Sequence, residues 1–418
     1  MASACLCFGV ALLPAPARAA NLKPIVDLRF RYEGVDQKGF DKPADATTLR
    51  GRLGVEATQG PLSLLVEGEA TLALDESYFS GLNRKTDRPL VPDPENVELN
   101  RAQIQYRSEV FTFTGGRQRV ILDDQRFIGT AAWRQNEQTY DAARVEWHPT
   151  PKLKVDLTYA WALRTVWGVD GGARGFVTRP QAIDGNNIFA QVSAATRLGA
   201  LSGFFYRIEE NEPSPILRRN SSDSYGASLV GSRPLGAGWK GGYSLRFAHQ
   251  QDNGVNPLDY AADYFLVEGG LEKGAWKLGL GLEQLGGDRS VVTKAGGTPF
   301  AAGFAFQTPF GLLHKFQGWA DKFVATPPLG VADHYASVGY GWQHVGPFDT
   351  VAAIAIAHHF RSAEGDVRYG DEVDLRLTAT MGRYAFLVKY ADYRRHRQPS
   401  FPGDATVKKL WVSGEWIF

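Results

Sequence analysis

One property governs what this chain can fold into: apolar and polar side chains alternate with a period of two, again and again, over runs of about ten residues. In Val26-Asp27-Leu28-Arg29-Phe30-Arg31-Tyr32, the apolar and aromatic side chains share one face, while Asp and two Arg share the other. Leu53 and Val55 stand against Arg50, Arg52 and Glu56, and Leu64 and Val66 stand against Glu67 and Glu69. Val155, Leu157 and Tyr159 oppose Lys154, Asp156 and Thr158, and later runs carry Leu278-Leu280-Leu282, Leu375-Leu377 and Phe386-Val388-Tyr390. Successive side chains of a strand point to opposite faces, so the pattern reads as β-structure with one apolar face. About ten residues is also what a tilted strand needs to cross a bilayer. After residue 20 no apolar run approaches the ~20 residues of a membrane-spanning helix.

Alternation alone would equally suit a soluble sheet with one wet face. Three features favour the membrane. Aromatic residues stand at strand ends (Tyr32, Tyr106, Trp147, Tyr159, Trp161, Trp239, Trp276, Tyr340, Trp342), where interfacial girdles belong. Tight connections such as Gln59-Gly60, Arg107 to Glu109 and Met381 to Arg383 alternate with long polar stretches at 74–96, 119–137, 164–186 and 286–332. Short periplasmic turns and long extracellular loops give that rhythm. Finally, the sequence closes on Leu410-Trp411-Val412-Ser413-Gly414-Glu415-Trp416-Ile417-Phe418. This ending resembles the carboxyl-terminal signal read by the barrel-assembly machinery, with Phe418 as its last residue.

About nineteen segments look like strands, but a bacterial barrel with both ends in the periplasm needs an even number. His314-Lys315-Phe316-Gln317-Gly318-Trp319-Ala320-Asp321-Lys322-Phe323 alternates poorly and falls in a span assigned to the outside. It is placed in a long loop folded into the mouth. The expectation is a single-domain, all-β transmembrane antiparallel barrel of about eighteen strands, wide enough for an aqueous channel. No linker or change of patterning divides residues 20–418. Residues 1–19 read as a signal peptide: an apolar run from Cys5 to Leu13 leads to Ala17-Arg18-Ala19, a small-x-small cleavage site. Both cysteines lie in that segment, which removes disulfides and thiolate chemistry from the rest.

A charged Arg facing mid-bilayer lipid costs about 2–4 kcal/mol, so the polar face must be the lumen. Arg29, Arg31, Arg50, Arg52, Arg101, Arg144, Arg246 and Arg376 should point inward, as should Glu56, Glu67, Glu69, Asp156, Glu268 and Glu283. Arg117, Arg126 and Arg134 flank the fifth strand and its outer loop and are placed to line a constriction. Arg suits carboxylates because its planar fork binds them in bidentate fashion. The competing reading is that these arginines pair with the inward acids and brace the wall. A formal charge of +1 excludes a generic nucleic-acid binder. Catalytic motifs are missing: the sequence holds no HExxH, P-loop or G-x-S-x-G in a credible context. His358-His359 stands at a strand end where neighbours face opposite ways, a poor metal site. Gly279 and Gly281 read as space-makers, and Asp123-Asp124 as either a loop salt bridge to Arg126 or Arg134 or a calcium or acid site. No catalytic residue, metal or cofactor is expected.

Gly116-Arg117-Gln118, Asp123-Asp124-Gln125-Arg126-Phe127-Ile128-Gly129, Trp133-Arg134-Gln135-Asn136 and Thr139-Tyr140-Asp141-Ala142 resemble the alginate-export family of outer-membrane porins. So does the phrase from His314 to Phe323, and the general layout matches over nearly the whole mature chain. The resemblance implies an eighteen-stranded, monomeric barrel that conducts an anionic polysaccharide through an arginine-lined neck, with loops regulating access. It implies pore-lining roles for Arg117, Arg126 and Arg134, and for Lys315 and Lys322. The leading expectation is therefore an outer-membrane channel, set among lipid and lipopolysaccharide, for anionic, alginate-like poly- or oligosaccharide. The alternative is a general or substrate-specific porin for small anionic solutes such as carboxylates.

Overall fold

The computed structural model describes residues 20–397 and 399–418. The signal-peptide reading of residues 1–19 lies outside the described residues. Eighteen strands form one sheet. In chain order they are β1 (Asn21–Gln37), β2 (Ala44–Gln59), β3 (Leu62–Ser77), β4 (Asn96–Arg107), β5 (Phe111–Gln118), β6 (Thr139–Thr150), β7 (Leu153–Arg164), β8 (Ala182–Thr196) and β9 (Gly199–Ile208). They continue as β10 (Ser222–Gly236), β11 (Trp239–Asp252), β12 (Ala261–Lys273), β13 (Trp276–Leu285), β14 (Val331–Val345), β15 (Phe348–Arg361), β16 (Arg368–Met381), β17 (Tyr384–Arg395) and β18 (Val407–Ile417).

Each strand pairs antiparallel with the next. The last returns to the first, with Asp27 opposite Ile417 and Gln37 opposite Val407. Closure leaves no edge, so every ladder is paired inside the protein, as a hydrocarbon environment demands. The crossing is made by strands; no helix of the described residues is long and apolar enough to span a membrane. The His314–Phe323 phrase is not a barrel strand, as its broken alternation predicted.

Register turns the sequence pattern into rows. Val338, Ala355, Leu375 and Tyr390 stand side by side across four strands on the outer face. Trp147, Trp161, Trp276 and Trp342 are exposed on that face. Inside, Arg29 faces Arg50 across β1 and β2, a like-charge pairing that is destabilising unless each finds another partner. Arg50 bonds Asp27 and Glu415, both at 2.6 Å. Arg29 turns instead toward the carbonyls of Ala132 and Arg134 in a loop. The glycines of β13 do make space: a side chain at Gly281 would strike Tyr335, whose hydroxyl donates to Glu268 at 2.9 Å.

The barrel's buried apolar core lies inside its extracellular half. Phe127 of the loop after β5 packs against Phe204 and Tyr264 of the wall at 5.3 Å each, and against Phe306 at 5.8 Å. A second group joins Phe323 to Phe360, Tyr369 and Tyr393. These rings are inward-facing on strands that otherwise read as polar-in, because two loops fold down to cover them.

Candidate functional site: a partition across the lumen

The loop between β5 and β6 (119–138) and the segment 306–330 between β13 and β14 both enter the barrel, and they are joined to each other. Gly129 N–H donates to the Phe310 carbonyl at 2.9 Å and Leu312 N–H to the Gln125 carbonyl at 2.9 Å. Lys315 Nζ reaches the Asp124 carbonyl at 2.8 Å. The first loop is held to β1–β3: Gln135 accepts from Arg29 at 2.8 Å, and Arg31 lies 4.3 Å over the Trp133 ring while bonding that residue's carbonyl. Asn136 accepts from Thr71, and Glu137 pairs with Arg52 at 3.4 Å.

The second segment is held to β16–β18. Trp319 N–H donates to Asp374 at 3.0 Å and Ala320 N–H to Glu372 at 2.7 Å. Gly318, at φ +77°, makes this approach possible, since a Cβ there would lie 2.5 Å from the Glu372 carboxylate. His314 is the pivot. The Asp321 carboxylate can only accept, so at 2.7 Å the histidine Nδ1 carries the proton and donates to it, which leaves Nε2 as the acceptor for Lys389 Nζ at 2.7 Å. Burial holds the His314 pKa well below its ordinary value despite Asp321, so the ring stays the neutral acceptor this arrangement requires. Lys389 stands 3.7 Å from the Trp319 ring centre and 4.4 Å from that of Trp133, cation–π contacts that replace a carboxylate partner. Burial alone would raise the Asp321 pKa, but His314, Lys409 and Arg134 together hold it well below the usual carboxylate range.

The partition separates two chambers. The outer vestibule, ≈490 Å³, is lined by Trp133, Trp167, Leu163, Phe310 and Leu313 among mostly apolar residues, with Arg134, Lys322, Lys409, Asp321 and Glu210 in its wall. Burial pushes the Glu210 carboxyl up to about 8, so at neutral pH it adds little negative charge. Burial, reinforced by Lys409, lowers Lys322 to about 8. The inner chamber, ≈580 Å³, reaches Ala200 and Ser202 beside a periplasmic turn and has a mixed lining that includes Arg246, Lys315, Asp123, Asp124, Glu268 and Phe316.

The sequence-predicted arginines are mostly inward and ion-paired. Besides Arg50, Arg52 pairs with Glu69 at 2.5 Å, Arg101 with Glu67 at 2.5 Å, and Arg144 with Asp156 at 2.6 Å. Arg126 is buried against Glu283 at 2.6 Å and Thr308 at 2.8 Å, and Arg134 joins Glu33 to Asp321. Arg29 and Arg31 anchor the loop. Arg117 is a correction: it shares the outward parity of Phe111 and Phe113 and pairs with Asp141 at 2.7 Å, because Thr112 and Thr114 occupy the inward positions of β5. Arg117, Arg126 and Arg134 therefore do not converge on one neck. Lys315 faces the inner chamber and Lys322 the vestibule. Asp124 pairs with Arg246 at 3.0 Å, not with the side chains of Arg126 or Arg134, and Asp123 accepts from Gln191. His358 and His359 face opposite ways, toward Asp333 and Asp371. Among the described residues no group of three or more His, Cys, Asp or Glu is arranged for a metal ion. Lys389 and Lys409 went unremarked in the sequence, although both alternate with outward residues on the inward face of their strands.

The model of the alginate export family matches residues 26–170. The resemblance carried by the phrases from Gly116 to Ala142 holds over that span; the phrase at 314–323 lies beyond it. No curated protein matches the chain. Among solved structures, the chain is similar to OpdK of Pseudomonas aeruginosa with vanillate, at 16% identity and TM-score 0.65, covering 94% of this chain and 99% of that one. Acinetobacter baumannii OccAB4 is similar at 11% identity and TM-score 0.65, covering 97% and 100%. A BenF-like porin from Pseudomonas fluorescens Pf-5 is similar at 13% identity and TM-score 0.67, covering 95% and 99%. At such identities the shared feature is the fold, that of outer-membrane porin barrels.

Proposed function

Starting from an outer-membrane porin fold that carries the alginate export signature over residues 26–170, we propose that this protein is a substrate-specific outer-membrane channel for small anionic solutes. The observation that carries the reading is the partition itself. Two interlocked loops leave chambers of ≈490 and ≈580 Å³, each within the range that holds one small molecule. The interlocked loops occupy lumen space that a polysaccharide thread would need. The vestibule's cations, Arg134, Lys322 and Lys409, outnumber the carboxylate of Asp321 with Glu210 neutral, which favours anions at the entrance. Arginines locked to acids on the wall contribute rigidity there more than attraction, since a paired charge is largely neutralised at a distance.

The family match favours a second reading, passage of alginate-like saccharide. Planar-bilayer recording separates the two. Anion preference in a salt gradient, with current interrupted by small carboxylates and not by uronate hexamers, is the expected result. Interruption by the hexamers at lower concentration would favour the saccharide reading, and cation preference would sink both.

A further inference from the structure

The vestibule holds three cations, and two are already committed. Arg134 and Lys409 both bond Asp321, at 3.0 and 2.7 Å, and Arg134 also reaches Glu33 at 3.3 Å. Lys322 is different. Its Nζ donates to the Gly403 carbonyl at 2.6 Å and lies 5.9 Å from the Tyr393 ring, and among the described residues it forms no ion pair with a carboxylate. It sits in the wall of a cavity whose other surfaces are mainly apolar rings and aliphatic chains.

A single unneutralised cation above apolar walls selects by charge count and by body. A hydroxyl-rich body would have only the side chains of Gln37, Gln138, Thr165, Thr178 and Asn220 as neutral partners among the apolar walls, and hydroxyls left unmatched there would cost desolvation. A second carboxylate would find no second free cation and would be desolvated without compensation. We propose that Lys322 recognises the solute in the vestibule, and that this solute is a monocarboxylate with an aromatic or acyl body. The assignment rests on the anionic-solute reading above and names the class of anion.

The groups facing Lys322 set its titration. Lys409 of β18 opposes its charge; Asp404, Glu372 of β16 and its own neighbour Asp321 support it. Asp404 is partly occupied, accepting from the Tyr393 hydroxyl at 3.0 Å and from Ser400 N–H at 2.9 Å. Burial prevails, and the amine loses its proton as pH rises through about 8. Anion recognition by Lys322 is therefore present below that pH and lost above it, whereas arginine at the same place would stay charged.

The test uses the full-length protein in planar bilayers, with phenylacetate added on the extracellular side at pH 7 and pH 9.5. Phenylacetate should interrupt the current at pH 7, with an apparent affinity falling on the order of tenfold at pH 9.5. Lys322→Arg should reduce that fall to the part contributed by Glu210, which lines the same cavity and gains its charge over the same range, and adding Glu210→Gln should remove the remainder. Lys322→Met should weaken interruption at pH 7 toward the level seen at pH 9.5 while the barrel keeps its heat-modifiable migration. Undiminished interruption in Lys322→Met, or an unchanged pH profile in Lys322→Arg, overturns the assignment of Lys322. Glucuronate or phthalate acting as strongly as phenylacetate overturns the solute class. The wild-type reversal potential reports anion preference separately. If that preference persists while Lys322→Met changes nothing, the Lys322 assignment falls and the anionic-solute reading survives.

Discussion

At the scale of single residues, the chemistry of this lumen is set by which charges lack an opposite partner. Alternation says correctly that Arg50, Arg52, Arg101 and Arg144 face inward, but it cannot say that each meets an acid on a neighbouring strand. Pairing depends on register, and register joins residues as distant in sequence as Arg50 and Glu415. Arg117 was misread because its strand begins with Phe at outward positions and reaches Arg by the same parity. Its charge suggested a lumenal place, and the two-residue period overrules that suggestion. Gly318 makes a sharper case. Its φ of +77° and its closeness to Glu372 are invisible in a sequence where Gly also marks turns and strands. Gly318→Ala should cost about 1–3 kcal/mol locally, loosening the hold on β16 without unfolding the barrel. Hydrogen exchange at Trp319 and Ala320 N–H should rise, and unchanged protection there would mean the turn tolerates a side chain.

At the scale of elements, strands were the most legible part of the chain and inward loops the least. A strand's two faces meet hydrocarbon and water, so its sequence records the boundary at every residue. Leu375 belongs to an outward row with Val338, Ala355 and Tyr390. Leu375→Arg is therefore expected to cost about 2–4 kcal/mol in lipid, read as a lowered midpoint of urea unfolding in bilayers. Thr378→Arg, on the water side of the same strand, should shift it far less. Equal shifts would contradict the orientation of β16. The phrase His314–Phe323 was assigned to the mouth because it broke the pattern, a negative signal that located it without giving its contacts. What fixes it is a set of buried bonds from Trp319, Ala320, His314 and Asp321 to three different strands.

At the scale of the whole molecule, closing the cylinder and closing its lumen are separate events. The eighteen strands pair around the ring through backbone ladders to which neither inserted loop contributes. The partition depends on a few buried ion pairs, and Arg126 is central among them: it joins the first loop to Glu283 of β13 and to Thr308 of the second loop. Breaking such a pair leaves a buried charge and costs about 3–5 kcal/mol. Arg126→Glu would set two carboxylates against each other, and the relief available is to expel the loops. The expected outcome is higher and noisier single-channel conductance from a barrel that still assembles. A clean reversal of ion preference at unchanged conductance would instead place Arg126 in an open constriction.

Sequence by itself determined the barrel: strand direction, the inward and outward faces, the even count and the separation of short turns from long loops all follow from a period-two pattern, because each residue answers only to the solvent on its own side. Tertiary structure alone decided where the two loops cross the lumen and which cations lack a carboxylate partner. Those outcomes depend on pairings between residues far apart in the chain, and on loops whose sequences carry no period to follow.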